Sequence, residues 1–318
     1  MSGYHAPAWL PGAHLQTIYP FLFRRLPIPP LERARWETPD GDFVDVDWLP
    51  GRAGAPVVVL FHGLEGCSRS HYARALLRAA RMRGWRAAVP HFRGCSGEPN
   101  RLPRAYHSGD TEEIGWALAR VKSLAGGAPL RVAGVSLGGN AFAKWLGESG
   151  DAARAVVASA AIVSAPLDLM AAGEALGRGF GLLYSRHFLG TLRKTALAKL
   201  ERYPGLFDAE AVRKARTLRA FDNVVTAPLH GFRDTDDYWT RASAKPHLPG
   251  IRVPTLLLNA CDDPFLPREA LPTEREVAAA VKLEFPPHGG HVGFVTAPFP
   301  GRIEWLSLRI LHFLEHQR

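Results

Sequence analysis

The stretch Leu130-Arg131-Val132-Ala133-Gly134-Val135-Ser136-Leu137-Gly138-Gly139-Asn140, continued by Ala141-Phe142-Ala143-Lys144-Trp145-Leu146, leaves the chain few choices. Its first half is a short apolar strand and its second half has helical periodicity, so the backbone must reverse near Ser136. Gly134, Ser136 and Gly138 fit the pattern G-x-S-x-G, a sharp turn that holds a strained serine with its hydroxyl exposed above a sheet. The glycines provide clearance, because a side chain at either position would collide with the neighbouring strand or helix. Leu137, at the start of the helix, would offer its backbone N–H to a developing oxyanion.

The segments around this turn alternate between strand and helix. Arg33 to Thr38 and Phe43 to Leu49 flank the turn signal Pro39-Asp40-Gly41. Val44, Val46 and Trp48 alternate with Asp45 and Asp47, which predicts a half-buried antiparallel hairpin. Pro56 to Phe61 is a continuous apolar run, as in a strand covered on both faces. A helical pattern through Tyr72, Leu76 and Ala80 ends at Gly84, a strand follows from Trp85 to Pro90, and a helix from about Thr111 to Leu124. Beyond the elbow helix, Ala155 to Val163, Thr255 to Asn259 and Val281 to Phe285 read as strands, and Ile303 to Glu315 as a closing helix. Between Leu167 and Ser243 no strand-like run occurs. Leu189, Leu192, Ala196, Leu197 and Leu200 recur at helical spacing instead, which predicts a helical insertion. The domain reading is therefore an arm and first part of an α/β core over residues 1–166, a helical cap over 167–243, and the rest of the core over 244–318.

With 318 residues, 47% of them hydrophobic and 22% charged, the chain can bury a large core. It contains no apolar run long enough to cross a bilayer. Residues 1–30 hold six prolines and no continuous apolar stretch, which predicts an irregular arm and not a signal sequence. Cys67, Cys95 and Cys261 have no metal-type spacing and cannot all pair, which points to a reducing cytoplasm. The net charge of +9 is spread along helical faces without basic tracts, so a solvated surface explains it better than a nucleic-acid partner. No metal motif such as H-E-x-x-H occurs, and neither a metal nor a cofactor is expected.

In a parallel α/β sheet the site lies at the carboxyl ends of the strands. The chemically capable residues fall there: Ser136 after one strand, the pair Asp262-Asp263 after another, and His288 and His291 in the loop after the last strand. A serine hydroxyl becomes a nucleophile when an imidazole takes its proton, and the imidazole needs an anion to fix its tautomer. The order serine, acid, histidine is the one used by α/β-hydrolases. Either aspartate could supply the acid on spacing alone. His62 is read as a partner for loop backbone, Glu65, Arg93 and Glu98 as loop-bracing ion-pair residues, and Cys95 and Cys261 as packing residues.

Taken together, His62-Gly63-Leu64-Glu65-Gly66, His91-Phe92-Arg93-Gly94-Cys95-Ser96-Gly97, Gly134 to Asn140, Asp262-Asp263-Pro264-Phe265 and His288-Gly289-Gly290-His291-Val292-Gly293-Phe294 resemble the motif set of the YheT-like α/β-hydrolases, a branch shared with eukaryotic abhydrolase-domain lipases and esterases. The resemblance runs from His14-Leu15-Gln16-Thr17 to the last helix. It implies an α/β-hydrolase fold, with a mostly parallel eight-stranded sheet, helices on both faces and an inserted helical cap. It further implies a serine hydrolase of short- to medium-chain carboxylic esters working through an acyl-enzyme. Carried over residue by residue, Ser136 becomes the nucleophile, His291 the base and Asp263 the acid, with the N–H groups of Leu64 and Leu137 as the oxyanion hole. An acyltransferase with the same triad and a catalytically silent binding protein are the alternative classes; the latter would be marked by a lost triad member, and none is lost here.

The cap is where substrate choice should reside, with Phe180, Leu182, Leu183, Tyr184 and Phe188 as candidate lining of an apolar channel. The expected partner is a small-molecule acyl ester. Arg178, Arg186, Arg193 and Lys194 would offer positive charge to an anionic or membrane-surface substrate, and ordinary solvation accounts for them equally well.

Overall fold

Apolar runs with β-branched residues form the strands, and their side chains alternate between two cores. The computed structural model describes residues 3–24 and 26–317. In chain order the strands are β1 (Glu32–Glu37), β2 (Phe43–Leu49), β3 (Val57–Phe61), β4 (Arg86–Pro90), β5 (Leu130–Val135), β6 (Val157–Val163), β7 (Thr255–Leu258) and β8 (Val281–Glu284). They make one eight-stranded sheet in the order β1-β2-β4-β3-β5-β6-β7-β8. β1 with β2 and β2 with β4 are antiparallel, and every other pair is parallel.

The first four helices are α1 (Ala13–Phe23), α2 (His71–Met82), α3 (Thr111–Leu124) and α4 (Leu137–Ser149). Between β6 and β7 lie α5 (Leu169–Leu176), α6 (Gly181–Arg202), α7 (Ala209–Lys214), α8 (Leu218–Val224), α9 (Thr226–Leu229) and α10 (Thr235–Ala242), and α11 (Glu304–Glu315) follows β8. Val57, Val59 and Phe61 of β3 face α3 and α4, burying Ile114, Leu118, Phe142 and Leu146. Val58 and Leu60 point the other way, onto Leu76, Leu77, Ile310 and Leu311 of α2 and α11. Helices thus cover both faces, and the turns after β3, β5, β6, β7 and β8 collect at one edge. Side-chain caps start α3 at Asp110, α5 at Asp168, α7 at Asp208, α8 at Thr217 and α10 at Asp234. Each such cap contributes about 1 kcal/mol.

Two expectations need correction. β1 keeps one face exposed, but β2 is buried on both: Asp45 and Asp47 are as inaccessible as the apolar residues beside them. The loop after β4 and two arginines close over what alternation alone marks as a wet face. Asp47 accepts from Arg33 Nε (2.7 Å), Ser68 Oγ (2.6 Å) and His91 Nε2 (2.8 Å). Asp45 pairs with Arg35, which also reaches Glu98. Arg93 is held by Asp40, Asp42 and Glu113. Arg93 and Glu98 therefore do brace loops through ion pairs, although not with each other, whereas Glu65 accepts from the Tyr106 hydroxyl (2.7 Å).

The second correction concerns the arm over residues 1–30, of which Met1, Ser2 and Arg25 lie outside the described residues. Its middle forms α1, with Pro20 inside the helix. Pro20 has no N–H to give the Gln16 carbonyl four residues back. That carbonyl packs against Gly293 instead, at a distance that leaves no room for a Cβ there. A proline that reads as a helix breaker here frees one carbonyl for a tertiary contact.

Burial alone would raise the Asp47 carboxyl, but the hydrogen bonds from His91, Arg33 and Ser68 outweigh it and hold it well below the usual range. Burial likewise opposes the shift at Asp40, where bonds from Arg93 and Thr38 bring the value down to about 2. Carboxyls depressed in the folded state stabilise it fully above their unfolded value of about 4, and that stability is lost as pH falls through the folded values. Urea melts should therefore show stability holding from pH 7 to about pH 5 and dropping steeply toward pH 2. Asp47→Ala should cost about 3 kcal/mol at pH 7, because it strands His91 and a buried hydroxyl. The gap between variant and wild type should narrow in acid, and a constant gap would count against the pairing.

Candidate active site

β5 ends at Val135 and α4 begins at Leu137, so the whole reversal is made by Ser136, whose φ is +53°. That left-handed conformation is costly for a residue with a side chain and persists only where the surroundings enforce it. Here Ser136 N–H donates to Val163 O of β6 (2.9 Å), and Gly138 N–H to His62 O (3.1 Å). A Cβ at Gly134 would lie 2.7 Å from Gly138 O, and one at Gly138 would strike the His62 carbonyl. Gly63 serves the same purpose across the gap, since a Cβ there would come 3.0 Å from Ser136 Cβ.

The structure brings Ser136, His291 and Asp263 into one hydrogen-bonded chain. Ser136 Oγ lies 3.0 Å from His291 Nε2, and His291 Nδ1 lies 2.9 Å and 3.1 Å from the two carboxylate oxygens of Asp263. An ionised carboxylate only accepts, so Nδ1 carries the proton and Nε2 is left to accept from the serine hydroxyl. Asp263 is almost wholly buried, and Phe265 N–H donates to its Oδ1 (2.9 Å). The Phe265 ring stacks on the His291 imidazole with centroids 3.9 Å apart. Asp262 instead supports the loop, with its Oδ1 accepting from Gly290 N–H (2.9 Å) and its Oδ2 lying 3.2 Å from Nδ1 of the exposed His288. The spatial arrangement thus separates the two aspartates and the two histidines that spacing left open.

Leu64 and Leu137 both line the cavity above Ser136. The N–H groups around them are committed, Gly63 to Tyr72 Oη (2.8 Å), Glu65 to Tyr106 Oη (2.9 Å) and Gly138 to His62 O. Leu64 and Leu137 themselves belong to the two turns that meet at Ser136, after β3 and after β5. Phe92 N–H donates to His62 Nε2 (3.1 Å), so His62 carries its proton on Nδ1 and donates it to Gly63 O (2.8 Å). Burial pushes His62 down to about 3, which keeps it neutral in this role.

The supports of the His291 loop were not legible as such in the sequence. Thr17 Oγ1 accepts the His291 N–H (2.9 Å) and donates to Ala13 O (2.8 Å). Gln16, fully buried, accepts from Val295 N–H (3.1 Å) and donates to Leu10 O (3.2 Å). On the other side His71 Nε2 donates to Val292 O (3.1 Å), and burial takes His71 down to about 4, so it remains uncharged. Val292 itself has a φ of +58°. The one signal available was the tetrad His14-Leu15-Gln16-Thr17 at the start of the family resemblance.

Above Ser136 a mainly apolar cavity rises between the sheet edge and α5, α6, α8 and α10, with Leu169, Leu176, Phe188, Leu192, Leu218 and Trp239 among its walls. Of the five cap residues expected to line a channel, only Phe188 does. Phe180, Leu182 and Leu183 are exposed, and Tyr184 is packed between His14 and Phe265. Two charged groups in the wall were not anticipated. Burial lowers Lys199 to about 8, and its Nζ bonds Asn100 Oδ1 (2.7 Å) and the carbonyls of Leu102 and Arg104, tying α6 to the loop before α3. Burial raises Asp222 to about 6 while it accepts from Thr226 and Trp239. Among the described residues no cluster of three or more histidine, cysteine or acidic side chains could hold a metal ion.

A family profile described as the alpha/beta hydrolase fold matches residues 56–298. The chain belongs to that family. It is 43% identical to the YheT protein of Escherichia coli (strain K12), provisionally named an esterase, over 95% of this chain and 90% of that one. It is 30% identical to phospholipase ABHD3 of Mus musculus, over 98% of this chain and 78% of that protein. These relationships put it in the YheT-like branch of the α/β-hydrolases. Among solved structures, Est1E of Butyrivibrio proteoclasticus with ferulic acid bound superposes with a TM-score of 0.59 at 16% identity, covering 89% of this chain and 99% of that one, which is a likeness of fold. No helix among the described residues is long and apolar enough to cross a membrane.

The hydrogen-bonded chain makes a spectroscopic prediction independent of activity. A proton shared between imidazole Nδ1 and a buried carboxylate is strongly deshielded, so native protein should show a downfield imidazole N–H resonance in proton NMR. It should vanish in Asp263→Asn and His291→Gln and survive in Asp262→Asn and His288→Gln. Loss in the second pair alone would reverse the pairing described here.

Proposed function

We propose that the protein hydrolyses carboxylic esters through an acyl-enzyme on Ser136. The observation that carries this reading is the chain from Ser136 Oγ to His291 Nε2 to Asp263, at the base of an apolar cavity. Ser136 Oγ attacks the ester carbonyl while its proton passes to His291 Nε2. Asp263 stabilises the imidazolium that results, and the N–H groups of Leu64 and Leu137 take up the negative charge on the carbonyl oxygen. Each such donor is worth about 3 kcal/mol in the transition state. Collapse returns the proton from His291 to the departing alcohol and leaves the acyl group on Ser136. Water then attacks with His291 again as base, releasing the acid and restoring the serine hydroxyl.

Residues 167–243 act in this reading as a cap that excludes water and receives the acyl chain. Its apolar walls, the esterase designation of the YheT relative and the phospholipase name of the mouse relative support a fatty acyl ester of short to medium length as substrate. The three cysteines remain free, which supports a cytoplasmic location.

Ser136→Ala should lower turnover of p-nitrophenyl esters by four orders of magnitude or more, with the thermal midpoint retained. Asp263→Asn should lower kcat by about 10⁴, whereas Asp262→Asn should leave it within a few-fold. Thr17→Val, which removes the acceptor for His291 N–H, should lower kcat by about tenfold and leave KM nearly unchanged. Undiminished turnover in Ser136→Ala would overturn the assignment. A rate that does not vary with acyl length from two to twelve carbons would remove the cap from the account of specificity.

A further inference from the structure

Large apolar side chains left in water are concentrated on one part of this molecule. Leu15, Phe21, Leu22 and Phe23 of α1 are all exposed, Phe23 to 66%. At the corner between α5 and α6, Phe180, Leu182 and Leu183 are exposed as well. Ring contacts join the two groups: His14 meets Phe180 at a tilt with centroids 4.0 Å apart, and Phe21 meets His187 at 5.4 Å. On the far side of α1, Phe23 meets Tyr19, Tyr19 meets Trp9, and Trp9 meets the exposed Phe299. Elsewhere among the described residues the large exposed apolar side chains are Ile28, after α1, and Met82 and Leu124, on different helices. Isolated residues of that kind are ordinary; a joined apolar face is not.

The charge around this face is predominantly positive, with Glu174 in the last turn of α5 the exposed exception at the corner. Residues 3–31 and 175–200 contain no aspartate or glutamate, in a chain with 30 acidic residues. Arg178 and Arg186 stand exposed at the apolar corner, and Lys194 is exposed further along α6. Apolar side chains flanked by arginine and lysine match an interface of acyl chains beneath anionic headgroups. A second copy of the chain is a poorer match, because a symmetric contact would bring the same cations together.

We propose that the face formed by α1 and the α5–α6 corner docks on an anionic phospholipid bilayer, with Phe23, Leu182 and Leu183 entering the headgroup boundary. The face is continuous with the site. Phe180 contacts Tyr184 at 5.7 Å, Tyr184 contacts Phe265 at 4.8 Å, and Phe265 stacks on His291. This row of rings connects the docked surface to the imidazole. The proposal concerns binding and stands apart from the acyl-enzyme reading.

The test is co-sedimentation of Ser136→Ala protein, which cannot consume lipid under that reading, with vesicles of phosphatidylcholine and phosphatidylglycerol at three to one or of phosphatidylcholine alone. Binding to the anionic vesicles is expected, weaker by about tenfold or more on the neutral ones and in 0.5 M salt. The triple variant Phe23→Ser, Leu182→Ser, Leu183→Ser should bind at least tenfold more weakly with an unchanged thermal midpoint. Introduced into otherwise native protein, the same changes should leave turnover of a soluble ester unaltered. Should that variant fail to fold, Arg178→Glu, Arg186→Glu, Lys194→Glu serves the same purpose through the surface charges. No binding to anionic vesicles, equal binding by a folded variant, or a wild-type dimer that the triple variant converts to monomer without any vesicle binding would each overturn the proposal.

Discussion

The structure depends on a backbone reversal compressed into one residue. At Ser136 the chain leaves the sheet and enters α4 with a positive φ, a conformation that must be enforced from outside. Enforcement comes from three directions: β6 accepts the Ser136 N–H, the β3 turn accepts the Gly138 N–H, and glycines at 63, 134 and 138 admit backbone where no side chain fits. The hydroxyl is thereby fixed at the point where the turns after β3 and β8 converge. The remainder of the fold brings an imidazole to that point.

The imidazole is the harder part to hold, since its loop has almost no regular structure. It is gripped from both sides by neutral hydrogen bonds, with Thr17 and Gln16 of α1 on one side and His71 of α2 on the other. These partners hold the loop backbone and leave the two ring nitrogens of His291 to Asp263 and Ser136. The same economy is visible in the wall of the site, where His62 is held uncharged by burial and works only as a hydrogen-bonding spacer. Charged pairs are used further away, around Asp47 and Arg93, to fasten the β1–β2 hairpin and the loop after β4 to the sheet.

Most of the core was legible in the sequence because its strands are short apolar runs bounded by turn residues. β2 and α3 fall on the predicted residues, and the other core elements agree to within about two residues at either end. The candidate site residues were legible for a different reason: each follows a strand, and strand ends in a parallel sheet converge. What could not be read depends on packing against distant chain. Alternation in β2 identifies two faces but not what covers them, so the burial of Asp45 and Asp47 by Arg35, Arg33 and the β4 loop had no local signal. Proline density concealed α1, since one proline in a helix is indistinguishable in sequence from one that ends it. Apolar character in sequence carries no direction, so Phe180, Leu182 and Leu183 read as cavity lining although they face outward.

The central claim is that one serine is chemically distinct because a single imidazole and a single carboxylate are arrayed behind it. Peptide mapping by mass spectrometry after brief exposure to a fluorophosphonate tests this most directly, since the reagent phosphonylates a serine only where a neighbouring base removes its proton and nearby donors stabilise the oxyanion. The account predicts one adduct per chain, on the peptide containing Ser136, formed at a rate that collapses when His291 is replaced by alanine. An adduct on another residue, or labelling of Ser136 that is indifferent to His291, would contradict it.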